Sequence, residues 1–295
     1  MRNHRGFTLI ELLVTMVIMA VVGLALTSIL LRSFRVSQSQ LQTADMQANV
    51  RTSGLVMPLE FREVGYDTNI STGAVTSDLE SISGTEIQFR AMRGFASTCG
   101  TPSLTSLQIR KPVYGMRRPA LTDGFLLFVE SDPNTHIDDQ WIPMVVTAVD
   151  QTLCGADSAI TLTMSTPQVA PGVNLALTQV FVGGPVRYYE RIRFGPFVDT
   201  DGRTYVGARS VSMGEASYRA VAGPINAATG LTFRYFDKNG AVLDPSTAPP
   251  ASVRAVEINL QGQSQQALNL AGAANRQRGS MITQTRVALR NTLTH

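Results

Sequence analysis

The side chains able to do chemistry are few in this sequence. It has three histidines, His4, His136 and His295, and two cysteines, Cys99 and Cys154. Only His136 lies away from the chain's ends, and a Ser-His-Asp triad would have to be built on it. No G-x-S-x-G elbow accompanies it, so a catalytic role is not expected. Asp132, Asp138 and Asp139 flank His136 and read as a solvated loop rather than a cation site. Asp199-Thr200-Asp201-Gly202 and Asp237-Lys238-Asn239-Gly240 begin like calcium loops. Each lacks the closing carboxylate at the twelfth position, where Ser210 and Ala248 stand, so Asx-type turns are the expectation. The cysteines form no C-x-x-C pair and have no histidine at metal-ligand spacing, so neither metal nor cofactor is expected. They are buried thiols in a reducing compartment and a natural pair in an oxidising one.

One charged residue is out of place. From Phe7 to Leu31 the chain is mostly apolar with one charge, Glu11, and about 25 such residues are enough to cross a membrane as a helix. A carboxylate in such a segment costs about 2.5–3.5 kcal/mol near the membrane centre, less near the end, and is usually functional. A plain anchor would gain by having leucine there. Arg2 and Arg5 precede the span and keep the first residues on the cytoplasmic side, with the rest of the chain outside. A secretory signal would have a shorter apolar core ending in a small-x-small site; Gly23-Leu24-Ala25 fits that pattern, but the apolar run continues beyond it.

Arg5-Gly6-Phe7-Thr8-Leu9-Ile10-Glu11 resembles the processing motif of prepilins, in the type IV pilin and type II secretion superfamily. The resemblance implies a leader of residues 1–6, cut between Gly6 and Phe7 by a prepilin peptidase that also methylates the new N-terminus on Phe7. Glu11 becomes the fifth mature residue, and the resemblance implies that its carboxylate neutralises the α-ammonium of a neighbouring subunit. Such a buried pair would act as an axial register key. Family members often carry a proline in the membrane-spanning half; Ser28 stands where it would fall. If the remainder lies in the periplasm, Cys99 and Cys154 should pair.

The elements behind the motif follow from periodicity. Residues 32–57 lack proline and place Phe34, Leu41, Ala48 and Leu55 seven apart, with Ala44 and Leu59 near the same stripe. That stripe predicts an amphipathic helix over 32–64 whose apolar face meets a sheet, with a kink or stop at Pro58 and an end near Gly65. Residues 65–295 read as a β-rich domain, periplasmic on this topology. Candidate strands are 85–92, 106–111, 125–130, 142–149, 159–164, 175–182, 186–194, 204–207, 231–236, 253–260 and 282–289. Turn signals between them and the absence of helical crossovers predict a largely antiparallel sheet. The fold class expected is therefore α+β, a long N-terminal helix packed on a sheet domain with insertions. The stretches 95–105, 244–252 and 262–280, rich in Gly, Ser, Pro and Ala, read as surface loops. Arg187, Arg191 and Arg193 alternate along one strand and read as sharing a solvent-facing side with Tyr189. The Tyr114–Arg118 segment reads as an exposed loop able to contact a neighbour.

Charge excludes little but argues against nucleic acid. The formal charge is +3 over 295 residues, and removing Arg2 and Arg5 leaves about +1. Hydrophobic residues make up 44% and charged residues 16%, enough apolar mass for a sizeable core. PVRYYERIRFG (185–195), LTFRYFDKNGAVLD (231–244), VRAVEINL (253–260) and TQTRVALRN (283–291) resemble PilW-type minor pilins and the related J-type pseudopilins of type II secretion. The resemblance implies a non-catalytic subunit in the inner membrane and then in the pilus. Its partners would be major and other minor pilins and the pilus assembly platform. A pseudopilin at the tip of a secretion system, or a ligand-binding adhesin or DNA-uptake tip protein, are the alternatives.

Overall fold

A computed structural model describes residues 8–68, 75–100, 103, 105–129, 134, 140–165, 182–268 and 277–291. His4, His136, His295, Asp132, Asp138, Asp139, Gly6, Phe7 and all of the expected strand at 175–182 but Val182, which lies in a turn, are outside the described residues.

One helix, α1, runs without interruption from Leu9 to Arg62, 54 residues or about 80 Å. Its start is set by a capping box: Thr8 is the N-cap, and its side chain accepts from the Glu11 N–H while Glu11 bonds back to the Thr8 N–H. Within the apolar half, the hydroxyls of Thr15, Thr27 and Ser28 donate to the carbonyls of Leu12, Gly23 and Ala25 at 2.7–2.8 Å. Their polarity is satisfied inside the helix, so these residues are tolerated in hydrocarbon. Pro58 neither stops the helix nor ends it; the chain leaves the helix after Arg62, and Gly65 already begins a strand.

Seventeen strands follow among the described residues. They are β1 (Gly65–Thr68), β2 (Val75–Ser77), β3 (Leu79–Ile82), β4 (Ile87–Ser97), β5 (Ser106–Arg110), β6 (Tyr114–Gly115), β7 (Gly124–Val129), β8 (Gln140–Cys154) and β9 (Asp157–Met164). Then come β10 (Pro185–Val198), β11 (Thr204–Ser210), β12 (Arg219–Ile225), β13 (Leu231–Phe236), β14 (Val242–Leu243), β15 (Ala255–Leu268), β16 (Gln277–Ala288) and β17 (Arg290–Asn291). All described pairings are antiparallel except β1 with β17. The expected α+β class, a long helix on a large antiparallel sheet, is what the chain adopts.

Strand β10 is the spine. It pairs with β4 through Pro185–Phe194, with β7 through Val186–Tyr189, and with β11 through Ile192–Val198. Two wings grow from it. The near wing, β11-β12-β15-β13-β14 with β16 beyond β15, is covered by α1; the far wing is β7-β8-β9-β5. Each has its own core. The near core joins Phe61 of the helix to Phe89, Phe194, Phe233 and Ile258. The far core is built from Leu107, Ile109, Phe125, Leu127, Met144, Ile160 and Leu162.

Two expectations are corrected by the sheet. Residues 262–280 are in large part not a loop: β15 reaches Leu268 and β16 starts at Gln277, both well inside that stretch. Likewise β4 continues to Ser97, into the stretch read as the 95–105 loop. The polar run Gln261-Gly262-Gln263-Ser264-Gln265-Gln266 reads as loop because it lacks apolar alternation. It stays extended because the ladder to β16 continues through it, with a register shift after Gln263.

The face of the outer helix that meets the sheet is also not the expected one. Met46, Val50, Ser53, Met57, Pro58 and Phe61 are the buried residues of α1. Phe34, Leu41, Leu55 and Leu59 are 58–65% exposed, and Ala44 and Ala48 are exposed beside them. At 100° per residue the two sets lie on roughly opposite sides of the helix. The sheet selects the first set by shape. Gly262 has no side chain where Val50 approaches, and a Cβ there would collide with Val50 Cγ2. Phe61, fully buried, enters a nest of rings whose centroids lie 5.0 Å (Phe89), 6.1 Å (Phe194) and 6.2 Å (Phe233) from its own.

Candidate functional site

The residues singled out by the sequence fall along the helix and at its far end. Glu11 lies in the first turn of α1. Its carboxylate accepts from the Thr8 N–H at 2.9 Å and from the Thr8 hydroxyl at 3.0 Å. The sequence reasoning missed this cap, although Thr8-x-x-Glu11 has the spacing that signals it. From Thr8 to Gln38 every residue is exposed. This half of the helix is long and apolar enough to cross a membrane, and none of it is buried against the protein's own sheet.

The outer half is fixed to the sheet by a chain of charges as well as by apolar packing. Glu60 on α1 accepts from Arg93 on β4 at 3.0 Å, and Arg93 also donates to Glu190 on β10 at 3.0 Å. Glu190 lies 3.5 Å from Arg117, which grips Asp123 with two bonds of 2.6 and 2.7 Å. Burial pushes the Glu190 carboxyl up, but hydrogen bonds from Ser210 and Arg93 and the charges of Arg93 and Arg117 bring it below the usual range. Such a network costs desolvation and gives little net stability, but breaking it strands a buried charge. Geometrically it ties the helix end, the spine and the segment before β7 together.

A second polar tie sits just past the helix. Asp78 Oδ2 accepts from the Gly65 N–H at 2.8 Å, and the Asp78 N–H donates to the Gly65 carbonyl at 2.9 Å. Burial raises the Asp78 carboxyl to about 6, against the opposing pull of the Gly65 N–H and Arg90.

The remaining candidates resolve into structure. Cys99 and Cys154 form a disulfide with Cα atoms 6.2 Å apart, closing 55 residues of the far wing. The arginines of β10 do not form a free basic face. Arg191 bonds to Glu80 at 2.7 Å, Arg193 to Gln88 at 2.6 Å, and Arg187 stacks over Trp141 at 4.5 Å. Tyr189 is buried, not solvent-facing. The Tyr114–Arg118 loop is pinned from both sides, by the Arg117–Asp123 pair and by the Tyr188 hydroxyl donating to the Arg117 carbonyl. Asp201 and Asp237 accept from nearby backbone N–H groups, as Asx turns do. No cluster suited to a metal ion occurs among the described residues. A groove of about 610 Å³ opens at the helix's far end, lined by Met92, Phe95, Met116, Trp141, Arg187 and Arg290.

The geometry thus defines a β-domain carried on one long helix, whose exposed apolar half starts at a capped carboxylate and is long enough to cross a membrane. Residues 1–27 match the family model described as the prokaryotic N-terminal methylation motif. The chain therefore carries the type IV pilin and pseudopilin signal, and the match supports a pilin-like or pseudopilin-like protein. No curated protein and no solved structure matches the chain.

Proposed function

We propose that the chain is a minor pilin of the PilW type, a non-catalytic filament subunit. A prepilin peptidase cuts between Gly6 and Phe7 and methylates Phe7. The product is held in the inner membrane, with the sheet domain in the periplasm. With major and other minor pilins it forms, on the assembly platform, a complex that primes or caps a pilus.

The observation that carries this reading is the bare first half of α1. Every residue from Thr8 to Gln38 is exposed, so this surface must be covered by lipid and, on assembly, by other helices. The methylation motif and the disulfide support it. So does the outward stripe at Leu41, Leu55 and Leu59, which extends the apolar surface past the membrane.

Glu11 supplies the test. A neighbour's α-ammonium left unpaired in a low-dielectric bundle costs about 3–5 kcal/mol, more than a hundredfold in an association equilibrium. Glu11→Leu should still be cleaved after Gly6, as read by intact mass, and should still fold. Its co-purification with other pilins from membranes should fall by that order. A mature chain that does not begin at Phe7 overturns the proposal, and unchanged co-purification of Glu11→Leu overturns the pairing role of Glu11. The companions recovered distinguish a pilus subunit from a J-type pseudopilin.

A further inference from the structure

The strand β16 ends the near wing, and among the described residues no strand pairs with its outer edge; only beyond its end does Arg290 of β17 donate on that side, to the Val64 carbonyl. Twelve residues long, it spans about 40 Å and contains no proline. The direction of its backbone groups can be read from its ends. The Gly279 N–H donates to Ser264 Oγ and the Leu289 N–H to the Arg254 carbonyl, both toward β15. By the two-residue alternation of a strand, odd-numbered residues face β15. Ser280, Ile282, Gln284 and Arg286 therefore present their N–H and C=O groups to the open edge. Among the described residues, nothing bonds to these groups.

Edges of this length are normally guarded by charges, prolines or bulges. Here the charged residues of β16 turn the other way. Arg286 lies over the ring of Phe236 on β13, 3.6 Å from its centroid, and Arg278 reaches Gln263 on β15 at 3.4 Å. Arg278 turns back to β15 and Arg286 reaches past it to β13, so neither side chain covers the edge. Ile282, 68% exposed, adds an apolar contact beside it.

We infer that the outer edge of β16 accepts an extended strand from a different subunit of the same filament complex, adding it to the near wing. Main-chain hydrogen bonds at residues 280, 282, 284 and 286 would hold that strand. A second copy does not fit by symmetry. Two β16 edges pair symmetrically only when antiparallel, about a two-fold axis normal to the sheet, because a parallel ladder offsets the bonding residues by one. That axis reverses one α1 relative to the other, and both could not then enter one membrane from the same side. Nor does β5, at the end of the far wing, offer a match. It has five residues, and Thr98 and Cys99 already engage its outer side at Ile109 and Gln108.

This inference rests on the membrane orientation proposed above, and the test separates the two. A photo-cross-linking residue is placed at Ile282 in the full chain in its native membrane, alone and combined with Gln284→Pro or Gln284→Ala. Proline at 284 removes an outward N–H and no bond to β15, so the fold should persist, as read by the Cys99–Cys154 disulfide and thermal melting. The expected result is an adduct to a strand of a different chain bearing the same N-terminal signal. It should fall at least tenfold with Gln284→Pro and stay unchanged with Gln284→Ala. Should the proline variant unfold, hydrogen exchange of the parent decides: the 280, 282, 284 and 286 amides must slow in the complex. An adduct to a second copy, an adduct indifferent to Gln284→Pro, even amides unprotected in the complex, or no adduct overturns the inference. A failure here alongside a normal Glu11→Leu effect leaves the filament-subunit reading standing, whereas a mature chain that does not begin at Phe7 sinks that reading and this inference together.

Discussion

The outer half of α1 has two apolar faces, and the sheet covers only one. Met46, Val50, Met57 and Phe61 face inward and are at most 8% exposed. Leu41, Leu55 and Leu59, on the opposite side, are 58–65% exposed. Residue types hardly distinguish the faces, since both are aliphatic at helical spacing. What differs is the opposing surface. The inner face meets Gly262, four phenylalanine rings including its own, and an ion chain that runs from Glu60 across β4 to β10. The outer face meets none of this within the described residues. A second apolar stripe left exposed on such a helix marks a surface for a partner. The inner face is a folding surface, and the outer one is available for assembly.

The comparison breaks most severely at Phe61. Phe61→Ala would leave a cavity among Phe89, Phe194 and Phe233 that rigid strands cannot close, at a cost of about 3–5 kcal/mol. Urea denaturation should show a stability loss of that size, and a loss under about 1 kcal/mol would mean the helix end is not packed as described.

Next comes the polar tie beneath the covered end. The Asp78 carboxyl is held at about 6 when folded, against 3.8 in the unfolded chain. Between those values the folded state binds a proton that the unfolded chain does not. Asp78 therefore lowers stability as pH rises from about 4 to about 6, by about 3 kcal/mol at 1.36 kcal/mol per unit, and the deficit persists above 6. Asp78→Asn should remove this slope and gain stability at pH 7 relative to the parent. Parallel pH–stability curves for the two chains would refute the assignment.

The smallest effect on folding belongs to the outer face. Leu55→Ser should change stability by no more than about 0.5 kcal/mol, because the side chain is already in contact with solvent in the isolated subunit. Its recovery with other pilins should nonetheless fall. A variant as destabilised as Phe61→Ala would show that the stripe is covered within the chain itself.

Much of this molecule was legible before its tertiary structure. The membrane half of α1, the carboxylate at its start, and the antiparallel strands around Ile87–Met92, Val186–Phe194 and Leu231–Phe236 are local patterns. They form because each segment satisfies its own backbone and shows one periodicity. The cysteines' partnership followed from the topology expected across a membrane, since a domain outside the cytoplasm would lie where thiols oxidise. The capping box at Thr8 was equally legible, because Thr8-x-x-Glu11 has the spacing that defines one. The glutamine-rich ends of β15 and β16 were not legible. Their polar residues carry no burial signal, and only the neighbouring strand keeps them extended.

The sequence by itself determined that a long helix exists and where its apolar half lies, since about 25 nearly uninterrupted apolar residues could span a bilayer only as a helix. It could not determine which side of the outer half meets the sheet. Two stripes at equivalent spacing compete, and neither propensity nor periodicity separates them. Tertiary structure broke that tie through shape and charge: the space above Gly262, the ring nest that receives Phe61, and Arg93 placed to meet Glu60. These groups come from residues about 30 to more than 200 positions away along the chain, so no local window contains the answer.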